Sequence, residues 1–127
     1  MKLGKLINSQ FQTSLAKLMH QDLPLKTAFA LRGIVRRNNE EISKYEEVRS
    51  EALKRFAKKG EDGKVAVDSN NLVRFDEDNG KLFSQEMEAL LTAEVNIGSI
   101  NLSDLGDKIT LSTVDLMSLE DILTEEK

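Results

Sequence analysis

The strongest constraint on this chain is one nearly uninterrupted helical run, residues 25–59, that begins directly after the only proline and stops at a glycine. Thirty-five residues of α-helix, rising about 1.5 Å each, reach about 50 Å, which exceeds the width of a compact domain of 127 residues. Part of such a helix is expected to face something other than its own core. Within it Ala28, Leu31, Val35, Ile42, Tyr45, Ala52 and Phe56 recur at spacings of three and four, and Asn38 and Arg49 fill the two polar gaps. That near-heptad seam suits lengthwise packing against other helices. Gly33 is its weak point, costing about 1 kcal/mol relative to alanine. Glu40 with Lys44 and Glu51 with Arg55 have the favourable i,i+4 order. Lys54, Arg55, Lys58 and Lys59 crowd the end where the helix dipole favours cations, and Gly60 is expected as a left-handed cap.

The flanks read more briefly. Ser9 is the expected N-cap of a first helix to about Met19, with Phe11, Leu15, Leu18 and Met19 on its core face. Asp22-Leu23-Pro24 breaks that helix, so the two should fold back as a helical hairpin. Beyond Gly60-Glu61-Asp62-Gly63, a turn, the pairs Val65/Val67 and Val73/Phe75 alternate like short half-buried strands, although Leu72-Val73 also fits the start of a loop. The acidic turn from Asp76 to Gly80 leads into a helix at about 81–92, carrying Leu82, Phe83, Met87, Leu90 and Leu91 on one face. Val95/Ile97, Ile100/Leu102 and Ile109/Leu111 suggest further strands around Gly98 and Gly106. Ser112 and Asp115 form a capping-box pattern that opens a last short helix with Leu116, Leu119, Ile122 and Leu123. Residues 124–127 are expected to fray.

With 39% hydrophobic and 31% charged residues, the chain has the composition of one ordinary soluble domain. No stretch approaches the length of a membrane span, and polar residues interrupt the N-terminal segment too often for a signal peptide. The absence of cysteine excludes disulfides and thiolate-ligated zinc. Charge is uneven: residues 1–24 carry net +2, residues 25–59 net +5 and residues 60–127 net −11, within a total of −4. Either the acidic half neutralises the basic helices, or the two address different partners.

Leu15 and Leu18 ahead of Leu23-Pro24-Leu25-Lys26, the helix through Leu31, Tyr45 and Arg49, the Gly-Glu-Asp-Gly turn with Val65, and Met87 to Leu91 running to Glu94-Val95 together carry a resemblance. In this order of elements the chain resembles a family of small uncharacterised bacteriophage proteins. The resemblance implies phage origin and a helix-rich accessory role. It transfers no activity and no functional residue.

Candidate chemistry is sparse. The run Asp76-Glu77-Asp78-Asn79-Gly80 has the acidity of a calcium loop, but its glycine is fifth rather than sixth and Met87 stands where the bidentate glutamate belongs. A solvated turn that caps the next helix is the simpler reading. His20 is the only histidine, so a two-histidine metal site is excluded, and no serine context makes it a triad base. Arg32 and Arg36, with Arg37 beside them, and the cluster Lys54, Arg55, Lys58 and Lys59 have the geometry to meet phosphates. The pI of about 5.1, the single tyrosine and the absence of tryptophan argue against a nucleic-acid role.

The fold expected is therefore α+β: an N-terminal helical hairpin with one long helix, plus a small C-terminal unit of short antiparallel strands and two short helices, in a single domain 1–127 divided at about residue 60. The function expected is a non-enzymatic phage accessory protein that binds a phage or host protein, or a second copy of itself, through the long helix. Candidate contact residues are Leu31, Val35, Asn38, Ile42, Tyr45, Arg49 and Phe56. A candidate basic patch comprises Arg32, Arg36, Arg37, Lys54, Arg55, Lys58 and Lys59, and a nucleic-acid- or polymerase-associated regulator acting through it is the alternative. Asn38, the one uncharged polar side chain in the apolar row, is expected to set register in self-association. No cofactor, metal or membrane is expected, and the expected location is the infected host cytoplasm or the virion.

Overall fold

The computed structural model describes residues 1–70 and 72–125. In it the chain forms two compact units: Met1–Ile42 with Glu94–Lys127, and Ser43–Ala93. The described elements are mainly helical: α1 (Leu3–Leu6), α2 (Ser9–Met19), α3 (Leu25–Phe56), α4 (Glu77–Leu91), β1 (Ile100–Asn101), a 3-10 turn (Leu102–Leu105), α5 (Thr113–Ser118) and β2 (Leu123–Thr124). The helix after Pro24 is unbroken at Gly33, and its first part, residues 25–42, belongs to the discontinuous unit.

The α+β expectation with antiparallel strands is corrected in three respects. The sheet holds two strands of two residues, and they run parallel, Ile100 beside Leu123 and Asn101 beside Thr124. Parallel pairing needs a long crossover, and here the chain between them passes through the 3-10 turn and α5. Leu123, expected to end a helix, and Thr124, expected to fray, together form β2 of that sheet. The fraying expected at residues 126 and 127 lies outside the described residues.

The second correction concerns residues 57–75. The antiparallel pairings Ala57–Phe75, Lys59–Val65 and Val67–Val73 exist only as isolated bridges. The Lys58 amide donates to the Arg74 carbonyl, Ala66 to Lys58 and Arg74 to Ala66, at 2.8–3.0 Å. Each segment divides its hydrogen bonds between two neighbours, so no pair extends into a ladder. Ile109 and Leu111 form no strand.

Third, the helices differ in their ends and partners. α2 is capped by Asn8, whose side chain accepts from the Gln10 amide, and not by Ser9. It packs chiefly on α5 rather than folding onto α3 as a hairpin. α3 ends at Phe56, so Lys58 and Lys59 lie in the bridged segment, and Gly63, not Gly60, takes the left-handed conformation. α4 starts at Glu77, so the expected acidic turn is its first turn, where the dipole favours Glu77 and Asp78.

The core of the discontinuous unit contains Leu3, Leu6, Phe11, Leu15, Leu18, Leu31, Ile34, Ile97, Ile100, Leu105, Leu119, Ile122 and Leu123. Two polar clusters lock its parts together. The capping box of α5 is present as expected from Ser112 and Asp115. The buried Asp115 carboxylate also accepts from the Ser14 hydroxyl at 2.7 Å and from Lys17 Nζ at 3.3 Å, which fixes α5 to α2. The Ser14 hydroxyl, then Ser112 and Lys17, hold this carboxyl down to about 2 from the ordinary 3.8, against a desolvation that would raise it. Elsewhere Gln12 Nε2 donates to Asn38 Oδ1 at 2.9 Å and to the Leu6 carbonyl at 2.6 Å, while Asn38 Nδ2 donates to Gln12 Oε1 at 3.1 Å.

Candidate functional site

α3 buries Thr27, Leu31, Ile34 and Asn38 in its first half, at the i, i+4, i+7, i+11 spacing of one helical stripe. The side chains on the far side of that stripe are Leu25, Phe29, Arg32 and Arg36, which repeat the same spacing two positions earlier. Leu25 is 88% exposed and Phe29 72%. Arg32 extends across the Phe29 ring, with its guanidinium carbon 6.0 Å from the ring centroid, so the cation shields one face of an otherwise bare aromatic.

Two clefts flank this ridge. One of about 390 Å³ lies on the Lys26, Thr27 and Ala30 side, where the Thr27 hydroxyl donates to the Asp104 carbonyl at 2.6 Å. On the other side a cleft of about 260 Å³ is lined by Met19, Leu23, Ala28, Leu31 and Val35 together with the polar Gln21 and Arg32. Met19, expected in the core, is 48% exposed and forms part of this lining. Ridge and clefts all belong to the discontinuous unit.

The expected contact residues divide by burial. Leu31 and Asn38 are buried inside their own unit; Val35, Ile42, Tyr45 and Phe56 are half-buried; Arg49 is exposed. Because Asn38 exchanges both amide hydrogen bonds with Gln12 of the same chain, its polar group has an intramolecular task and does not project toward another copy.

The basic patch is likewise divided. Arg37 turns inward, its Nε donating to the Ile97 carbonyl at 2.8 Å. A Cβ on Gly98 would stand 2.7 Å from that guanidinium, and Gly98 has φ of +103°, so this close approach depends on glycine. Arg55 lies 4.6 Å from the Phe56 ring centroid and pairs with Glu86 at 2.8 Å; Lys58 pairs with Asp76 at 3.3 Å; Lys59 donates to the Lys54 carbonyl. Lys54 is exposed. Arg32 and Arg36 are the members of the first cluster that face solvent.

Leu25 and Phe29 lie outside the seam row of α3. The signal that finds them is an apolar i,i+4 pair lying off the seam row, directly after the helix start. Among the described residues no group of three His, Cys, Asp or Glu is placed to hold a metal, and no helix is long and apolar enough to cross a membrane. Compared with known proteins, the chain matches no family model, no curated protein and no solved structure.

Proposed function

We propose that the chain is a non-enzymatic binding protein, of the phage accessory kind that its resemblance implies, which engages a protein partner through the outward ridge of residues 25–36. The observation that carries this reading is the pair Leu25 and Phe29, each more than two-thirds exposed on a single helix face and continued by Arg32 and Arg36. Aromatic and arginine side chains supply most of the energy at protein interfaces, and scattered single apolar residues do not form such rows. A helix face presented in this way suits a helix-in-groove or helix-on-helix contact.

The nucleic-acid alternative has less support. Of the first basic cluster it retains Arg32 and Arg36, since Arg37 is spent on Ile97, and two of the second cluster's cations, Arg55 and Lys58, are paired with acids. The test is affinity capture from infected cells with wild type, with Leu25→Ser plus Phe29→Ala, and with Val48→Ser as an exposed control elsewhere on α3. A protein partner lost only from the double variant supports the ridge. Equal capture by all three overturns it.

A further inference from the structure

We infer that the 260 Å³ cleft beside the ridge is a receptor for one apolar side chain of an acidic peptide segment on the partner protein, with Arg32 and Arg36 receiving the segment's carboxylates. The inference rests on the protein-binding reading above and names the chemistry of what is bound.

Size, lining and charge agree. An enclosed apolar cavity of about 150 Å³ accommodates benzene, so this open cleft of about 260 Å³ has the volume for a leucine or phenylalanine side chain. Leu31 forms the buried floor, and Met19, Leu23, Ala28 and Val35 form walls. Arg32 belongs at once to the cleft edge and to the ridge. In a chain of net charge −4, residues 23–39 hold Lys26, Arg32, Arg36 and Arg37 and no carboxylate. With Arg37 turned to Ile97 and Lys26 on the other side of the ridge, Arg32 and Arg36 are the exposed cations on the cleft's side. An acidic segment meets complementary potential there, and a basic one meets repulsion.

Two other occupants fit less well. A nucleic acid would meet a chain of net charge −4 in which Arg37, Arg55 and Lys58 already have partners within the chain. A second copy offers α5, whose exposed Val114 and Met117 are followed by Glu120 and Asp121. Both of those carboxylates are engaged by Lys5.

The probe is a fluorescein-labelled synthetic peptide, rich in glutamate, with two leucines four positions apart. Its controls replace every glutamate by lysine, or both leucines by alanine, and binding is followed by anisotropy at low and high salt. The acidic leucine peptide binds, weakens as salt rises, and loses about tenfold in affinity against Arg32→Glu plus Arg36→Glu. Ala28→Leu, an exposed position on the cleft wall, fills the cavity and removes the advantage of the leucine peptide over its alanine control. Circular dichroism confirms that each variant is folded. No binding of the acidic peptide, equal binding of the lysine peptide, or indifference to either variant overturns the inference. So does tighter binding of an oligothymidine through the same arginines, or a dimer in sedimentation that those arginine changes dissolve. If affinity capture depends on Leu25 and Phe29 but not on Arg32, Arg36 or Ala28, the ridge stands as a docking face and the acidic-peptide assignment fails alone.

Discussion

At the scale of single residues, the most consequential side chains are polar ones in the core. Asp115 joins a helix cap to a cross-link between segments a hundred residues apart, and its carboxyl is held down to about 2. A carboxyl depressed in the folded state contributes stability that is complete above its ordinary 3.8 and disappears as pH falls toward the folded value of about 2. Asp115→Asn is therefore expected to lower the urea midpoint at neutral pH, and the gap from wild type should narrow as pH falls through that window. A gap that is the same at neutral pH and near pH 2 would contradict the assignment. Asn38 provides a second case. Replacing it by leucine leaves the half-buried Gln12 amide without its reciprocal partner, a loss of about 1 kcal/mol by chemical denaturation. Sedimentation should be unchanged between wild type and Asn38→Leu, because the amide serves the chain's own fold and not a register between copies.

At the scale of elements, α3 shows what patterning reveals and what it leaves open. The start after Pro24 and the continuity through Gly33 were legible from local chemistry, as was the capping box at Ser112, because each depends on residues adjacent in sequence. The buried row was only half legible. Thr27, Leu31, Ile34 and Asn38 are inside, while the seam reading placed Ala28 and Val35 beside the shared Leu31 and Asn38. Both rows satisfy the helical period, and the inner row is held by distant partners such as Asp104, whose carbonyl accepts from Thr27 77 residues earlier. The same cause hid the parallel pairing of β1 with β2, which no local alternation announces. The start of α4 at Glu77 is hidden in the sequence because an acidic turn and the first turn of a helix ask for the same residues. In the candidate site Arg32 and Arg36 were legible as a basic pair, but Phe29 was not, since exposure is a property of packing. Gly33 yields a direct prediction. A Cβ there would meet the Arg37 guanidinium at 3.5 Å, an ordinary contact. Gly33→Ala should stabilise α3 by about 0.5–1 kcal/mol, read as a higher denaturation midpoint with unchanged cooperativity.

At the scale of the whole molecule, the two units are unequal in apolar burial. Thirteen of the buried hydrophobic residues belong to the discontinuous unit, against Ala52, Ala57 and Met87 in the unit 43–93. Local opening is easiest where few apolar contacts must be broken. Hydrogen exchange followed by mass spectrometry is therefore expected to label α4 well before α2 and residues 25–42, and the reverse order would contradict the burial pattern. The discontinuity has another outcome. The larger unit contains both residues 1–42 and the segment from Glu94 onward, with β2 and α5 near its far end. During synthesis the nascent chain emerges from its N-terminus at about 5–20 residues per second. The segment 43–93 is thus made before the part of the larger unit from Glu94 onward, including the α5 that packs on α2. A variant lacking α5 would leave bare the face of α2 on which α5 packs and would strip Ser14 and Lys17 of their carboxylate partner, so it is expected to be more readily cleaved by protease than the intact unit.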